Sequence, residues 1–310
     1  MRVVVSYNDD LELKPHLNEI ERIGEAESGE TAREIAELLN AELYAVRDVR
    51  KALRDLKGAD LVFNLCEGVA GKPALEMHFA LALEMLGIPF TGCDPIAVGL
   101  CTDKILVKRL LNARGIPTPR AFVEGQRAIV KPSREDAGIG IDRASVVATR
   151  EEAEARARHV EQTYGQPALI EEFIDGREFN QALYLGRLLP PGEIVFAGSL
   201  APEERVVGWK AKWESGSSED RATVNRTPAD TDDALREALG ELSKSAADVL
   251  SIGGYCRFDV RQRKTGELCI VDVNPNPDIG RGSGFRKALD AAGIGFRQFL
   301  DELMMSALSR

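Results

Sequence analysis

The chain has 310 residues, 44% of them hydrophobic and 29% charged, enough for two or three domains with substantial cores. Its 40 basic and 50 acidic residues leave a net charge of −10, which argues against non-specific binding to nucleic acid or an anionic membrane surface. No apolar run approaches the roughly 20 residues that span a bilayer.

The opening Met1-Arg2-Val3-Val4-Val5-Ser6-Tyr7-Asn8 is too short and too quickly polar for a signal peptide and reads as a first strand. Residues 1–92 then alternate, with strands at 2–6, 42–45, 60–64 and 88–91 and helices at 29–39, 49–56 and 73–86. Such alternation indicates an α/β class, a parallel sheet covered by helices. The loop 64–71 follows a strand and precedes a helix, at the edge where these sheets bind ligands. Glu67 is therefore a candidate site residue, although an acid complementing a helix dipole fits equally well. His16, His78 and His159 lie far apart, so zinc and a histidine-based triad are poorly supported. His78 shares a helical pattern with Leu75, Phe79, Ala82 and Leu86 and reads as structural. Cys66, Cys93, Cys101, Cys256 and Cys269 form no C-x-x-C and lie among apolar residues, as reduced core thiols of a cytoplasmic protein do.

A second unit begins after Gly92. A helix runs from Thr102-Asp103-Lys104 through Leu111, and Gly115 with Pro117 and Pro119 stops it and turns the chain extended. A strand at 128–132 carries Lys131, and a glycine-rich turn with Gly138 and Gly140 follows. Backbone N–H groups in such a turn can approach phosphate oxygens closely. A hairpin turn beside a snorkelling lysine would look similar, and the G-x-x-x-x-G-K-[ST] pattern is absent. After a strand at 145–148, a helix at 150–164 and a strand at 168–173, the chain reads Glu171-Glu172-Phe173-Ile174-Asp175-Gly176-Arg177-Glu178. A hinge strand suits an adenine, whose edge needs one backbone donor and one acceptor, and Glu178 stands where ribose hydroxyls could be accepted. An acidic linker would have the same composition.

The third unit carries strands near 179–185, 194–200, 255–261 and 268–273, and a helix at 232–250. Residues 209–225 are polar, with Lys210 and Lys212 beside Trp209 and Trp213, and read either as a lid over an anion or as a solvated loop. Lys264-Thr265-Gly266-Glu267 joins the last two strands as a hairpin. Side chains two apart on a strand share a face, so Asp272 and Asn274 project together and Asp259 can join them. Two carboxylates and an amide on an otherwise apolar hairpin call for a hard cation such as Mg²⁺; a solvent-facing hairpin with scattered acids is the alternative.

In this order the pieces resemble the ATP-grasp superfamily, and within it the D-alanine–D-alanine ligase group. The resemblance runs from Asn64 to Ile279, with a plausible tail at 281–299. It includes Phe90-Thr91-Gly92-Cys93-Asp94, Thr102-Asp103-Lys104, Gly115-Ile116-Pro117-Thr118-Pro119 and Val130-Lys131-Pro132-Ser133-Arg134-Glu135. It implies an ATP-grasp fold of three subdomains, 1–92, 93–177 and 178–310, with ATP between the second and third. Lys104 and Lys131 would contact ATP phosphates under the loop of Gly138 and Gly140. Glu171, Phe173, Ile174 and Glu178 would hold adenine and ribose. Asp259, Asp272 and Asn274 would ligate Mg²⁺, two ions in all, with Mn²⁺ as a substitute. Lys212 would cover the γ-phosphate, Arg257 would face the reaction centre, and Ser283 would grip an acceptor carboxylate. The implied reaction joins an amino-acid-like carboxylate to an amine through an acyl phosphate, in a cytoplasmic enzyme that dimerises through its N-terminal region. Authentic D-alanine–D-alanine ligation, a small-molecule kinase and a nucleotide sensor are the alternatives.

The sequence also departs from that group. Its N-terminal G-G-x-S-x-E segment is replaced by Ser6-Tyr7-Asn8-Asp9-Asp10, with Glu27 as a candidate replacement for the glutamate. A serine pair in the glycine loop becomes Ala137-Gly138, the lid aromatic becomes Trp213, and the bridging glutamate becomes Asp272. The glycine that supplies an oxyanion N–H is lost within Pro275-Asn276-Pro277-Asp278. ATP and Mg²⁺ binding are expected to persist while D-alanine specificity changes.

Overall fold

Val3–Asn8 (β1) supplies two fully buried valines, Val4 and Val5, on opposite faces, as the centre of a sheet covered on both sides requires. It pairs in parallel with Glu42–Val46 (β2) and Leu61–Leu65 (β3), giving the order β2-β1-β3. The computed structural model describes residues 1–9, 11–13, 19–136, 138–208 and 221–310. The first helix, Glu19–Leu39 (α1), starts ten residues earlier than its periodicity indicates, because Gly24 and Gly29 read as breakers in the sequence. Val49–Asp55 (α2) and Glu76–Met85 (α3) complete the alternation. The strand expected at 88–91 is reduced to one parallel bridge, Val62 with Phe90. Pro89 lies inside it and has no N–H to extend a ladder.

Where one helix was expected, two stand end to end. Pro95–Thr102 (α4) starts on Asp94, whose carboxylate accepts from Ile96 N, and Lys104–Ala113 (α5) starts on Asp103, which accepts from Ile105 N and Leu106 N. The Asp94-Pro95 pair was the available signal for the first of them. Ala128–Pro132 (β4) then lies antiparallel between Val146–Val147 (β5) and Ala168–Glu172 (β6). Arg150–Tyr164 (α6) packs on that sheet, opened by the Thr149–Glu152 capping box and closed by Gly165 at φ 64°.

The third sheet contains Glu178–Tyr184 (β7), Arg187–Leu188 (β8), Gly192–Phe196 (β9), Thr223–Arg226 (β10), Tyr255–Gln262 (β11) and Leu268–Pro275 (β12). Its order is β10-β9-β7-β11-β12, with β8 on β7. The strand expected to reach residue 200 stops at Phe196, and β10 takes up residues read as loop: with only Val224 apolar, Thr-Val-Asn-Arg gives little strand signal. Asp233–Val249 (α7) follows, and Gly284–Ala291 (α8) and Phe296–Leu308 (α9) close the chain. Among the described residues no helix is long and apolar enough to cross a membrane. All five cysteines are buried, and none is in a disulfide.

The last two helices join the first and third sheets in one core. Val5, Leu61 and Phe63 share a buried cluster with Tyr184, Phe285 and Phe299. The Phe299 ring meets Tyr184 edge-on at 5.3 Å and Tyr255 at 5.7 Å. Phe299→Ala is therefore expected to cost about 3–5 kcal/mol in urea denaturation, and a loss below about 1 kcal/mol would show that this junction contributes little.

Candidate active site

A cleft of about 1170 Å³ is lined by residues from all three sheets. On β4, Ile129 and Lys131 are two apart and both face it. Lys104, the first residue of α5, is buried; its Nζ lies 2.7 Å from Asp136 Oδ1 and 3.2 Å from Asp272 Oδ1. Burial alone would favour the neutral amine, but Asp136 and Asp272 outweigh it and hold the ammonium charged. Lys131 Nζ lies 2.9 Å from Glu171 Oε1 and donates to Val271 O at 3.2 Å. Gly138 and Gly140 hold φ of 84° and 73°, and a Cβ at Gly140 would come within 2.6 Å of Pro132 Cγ, so glycine is required there.

One further lysine completes this floor and was missed in the sequence. Lys108 donates to Ile270 O at 3.0 Å and Val271 O at 2.8 Å, and lies 3.3 Å from Glu171 Oε2. Glu171 thus serves two lysines. The signal was present: Lys104, Val107, Lys108 and Leu111 form the buried stripe of α5. Burial, aided by the charge of Lys131 and opposed by Glu171, pulls the Lys108 ammonium down from 10.5 to about 8. Below about pH 8 both folded and unfolded chains hold this proton, and the burial penalty is fully present. Between about 8 and 10.5 only the unfolded chain keeps it, so this group's contribution to stability rises with pH. The stability of the wild type relative to Lys108→Met should therefore rise in denaturant titrations run from pH 7 to pH 10. A difference that stays flat would contradict it.

At the hinge, Phe173 and Ile174 are buried and line the cleft. Glu172 accepts from Arg120 N at 3.0 Å and from Arg263 Nε at 3.0 Å, which holds it away from the role of a free acid. A Cβ on Gly176 would stand 1.8 Å from Gln262 O, so only glycine lets the hinge lie against β11. Glu178 Oε2 accepts from Arg261 Nε at 2.8 Å and Nη2 at 2.6 Å. Arg261 was also missed, although Arg257, Asp259 and Arg261 alternate on one strand.

The β11–β12 register sets Asp259 opposite Asp272 and Arg257 opposite Asn274, with a bulge after Asp259. Burial would raise the Asp272 pKa, but Lys104, Lys131 and Lys108 outweigh it and hold the carboxyl down at about 2. Asp259 accepts from Arg257 Nε at 2.7 Å and Nη2 at 3.0 Å, from Asn180 Nδ2 at 2.7 Å and from Asn274 Nδ2 at 3.2 Å. Among the described residues no three His, Cys, Asp or Glu side chains converge as a metal site. The donor set is two acids and an amide. Lys104 and Val273 N both meet Asp272 Oδ1, so Asp272 Oδ2 and Asn274 Oδ1 accept no hydrogen bond among the described residues. These are hard oxygen donors in a cleft, and they fit Mg²⁺.

The far end of the cleft is more acidic than the sequence indicates. Burial, with Glu67 and Asp136 nearby, pushes the Glu76 carboxyl well above its usual range, and Asn276 Nδ2 lies 3.4 Å from Glu76 Oε1. Asn276 Oδ1 accepts from Cys93 N at 2.7 Å, and a Cβ on Gly92 would stand 2.7 Å from that oxygen. Asp278 accepts from Gly280 N at 2.7 Å, which closes its own turn. Ser283 caps α8, accepting from Arg286 N at 3.2 Å, and lines the cleft. Lys212, Trp213, Ala137 and the side chain of Glu27 lie outside the described residues.

The family described as D-ala D-ala ligase C-terminus matches residues 124–305. The D-alanine–D-alanine ligase of Marinomonas sp. is 31% identical over 261 residues, 80% of this chain and 77% of that protein. The uncharacterized protein y4sG of Sinorhizobium fredii is 29% identical over 258 residues, 79% of this chain and 73% of its own. The D-alanine–D-alanine ligase of Bacillus anthracis, solved with ATP, superposes with a TM-score of 0.76 at 21% identity, covering 100% of this chain and 98% of that one.

Proposed function

Since the chain belongs to the D-alanine–D-alanine ligase family, carbon–nitrogen ligases with the ATP-grasp fold, we propose that it activates a small carboxylate with ATP and joins it to an amine. The observation that carries this reading is the convergence of Lys104, Lys131, Arg257, Asp272 and Asn274 in one cleft. Lys104 and Lys131 hold the ATP phosphates beneath the loop of Gly138 and Gly140, and the base rests on the hinge at Phe173 and Ile174. Asp272 and Asn274, with Asp259 beside them, hold Mg²⁺, which when bound supplies positive charge to the phosphate oxygens.

The reaction has two displacements. A substrate carboxylate oxygen attacks the γ-phosphorus and ADP departs, leaving an acyl phosphate. The amine nitrogen then attacks the acyl carbon, inorganic phosphate leaves, and the amine proton is released. Arg257 faces the negative charge that develops in both steps. Ser283, at the N-terminus of α8, receives the acceptor carboxylate.

We further propose that the substrates are not two D-alanines. The family's oxyanion glycine is replaced within residues 275–278, and the Asp278 carboxylate there is committed to the Gly280 turn. Glu76, whose pKa burial raises, adds an acid at that end of the cleft; a substrate ammonium there would hold it ionised. Five buried cysteines outside any disulfide support a cytoplasmic protein, and a homodimer is the corresponding proposal for its assembly, to be checked by light scattering. The deciding experiment measures ADP release from Mg-ATP with pools of D- and L-amino acids, dipeptides and hydroxy acids, and identifies the product by mass. Efficient D-alanyl-D-alanine formation would sink the altered-specificity reading. ATP binding without stimulation by any pool would sink the ligase reading for these substrates.

A further inference from the structure

Arg261 is 7% exposed and lies on β11 directly opposite Glu178 on β7, at the wall of the cleft. Its guanidinium makes four hydrogen bonds. Nε and Nη2 both reach Glu178 Oε2, at 2.8 and 2.6 Å; Nη1 donates to Ile174 O at 2.8 Å and Nη2 to Arg205 O at 2.6 Å. The guanidinium carbon sits 5.2 Å from the Phe173 ring centroid and 5.6 Å from that of Phe196, so its plane is fixed by aromatic neighbours as well. Both of the bonds that reach the carboxylate fall on one of its oxygens. Glu178 Oε1 accepts no hydrogen bond among the described residues, and Glu178 lines the cleft.

A carboxylate gripped by one oxygen cannot rotate freely, and its second oxygen is left presented to whatever enters. We propose that Arg261 is a positioning residue for the nucleotide sugar. It holds Glu178 through Oε2 so that Oε1 meets the ribose hydroxyls, and its bond to Ile174 O locks that acid to the hinge carrying the base. A sugar lacking a hydroxyl loses a hydrogen bond to a charged acceptor that is already in place. A protein without Arg261 has an acid free to turn away, and loses the discrimination rather than the nucleotide. The inference rests on the reading of this cleft as the ATP site.

Calorimetric binding of Mg-ATP, Mg-2′-deoxy-ATP and Mg-3′-deoxy-ATP tests it in the wild type, Arg261→Met, Arg261→Lys and Glu178→Ala. The wild type should prefer ATP over at least one deoxy analogue by about tenfold, the size of one hydrogen bond to a charged group. That preference should vanish in Glu178→Ala and fall close to unity in Arg261→Met, with affinity for the deoxy analogue little changed. Arg261→Lys keeps the charge and loses the fork, so its preference should be intermediate, which guards against a methionine variant that fails to fold. A variant set in which ATP and deoxy-ATP weaken together, or in which either Arg261 variant keeps the wild-type ratio, would overturn the inference while leaving the ATP site standing. A wild type that binds no ATP would overturn both.

Discussion

Asp272→Ala is expected to lower substrate-dependent ADP release by about 10²–10³-fold or more and to leave the thermal unfolding transition cooperative. The carboxylate stands 3.2 Å from Lys104, and the charges of Lys104, Lys131 and Lys108 together hold its pKa near 2. Removing it takes away a charged oxygen, Oδ2, that accepts no hydrogen bond among the described residues, and leaves three ammonium groups balanced by Glu171 and the half-exposed Asp136. Mg-ATP should then bind with an altered metal requirement, while phosphate affinity through the lysines persists in part. Asp272→Asn separates charge from shape: it keeps an oxygen at the same place and should still lose most of the turnover. A variant within tenfold of wild type under saturating Mg²⁺ would mean that Asp272 balances the lysines and nothing more.

The hairpin behind this prediction was legible because a strand has a period of two. Asp272 and Asn274 had to share a face, and the Lys264–Glu267 turn fixed which strand came opposite. The parallel first sheet was legible for a similar reason, from apolar runs alternating with helical periodicity. Elements defined by tertiary contacts were not. The strand β10 is an edge whose Thr-Val-Asn-Arg reads as loop until β9 lies beside it. Glu76, Lys108 and Arg261 each act through a partner set by the fold: Asn276 is 200 residues from Glu76, Ile270 is 162 from Lys108, and Glu178 is 83 from Arg261. Local pattern marks such residues only as charges on a buried stripe or an alternating strand. The departures from the family were readable in sequence, but the raised pKa of Glu76 at the far end of the cleft comes from its desolvation in the fold, which no motif records.

Arg257→Gln should reduce turnover by about 10²–10³-fold with ATP affinity changed only a few-fold, because Arg257 is not among the groups that hold the nucleotide. Its guanidinium is largely buried and forks onto Asp259, which holds it firmly charged against the cost of desolvation. Asp259 is in turn bound by two amides, from Asn180 and Asn274. One cation and one anion are therefore matched before any ligand enters, and the cation's remaining field is available to the charge that develops during transfer. Glutamine removes that field and also leaves Asp259 unbalanced beside Asp272, so the loss has two sources. Arg257→Lys should not rescue turnover, since a lysine lacks the planar fork. Asp259→Asn on the Arg257→Gln background relieves the second source, so the double variant should be less impaired than the two single losses combined. Single-turnover ADP formation beside calorimetric ATP binding separates the steps. If binding falls as far as turnover in Arg257→Gln, the residue belongs to the nucleotide site and not to the reaction centre.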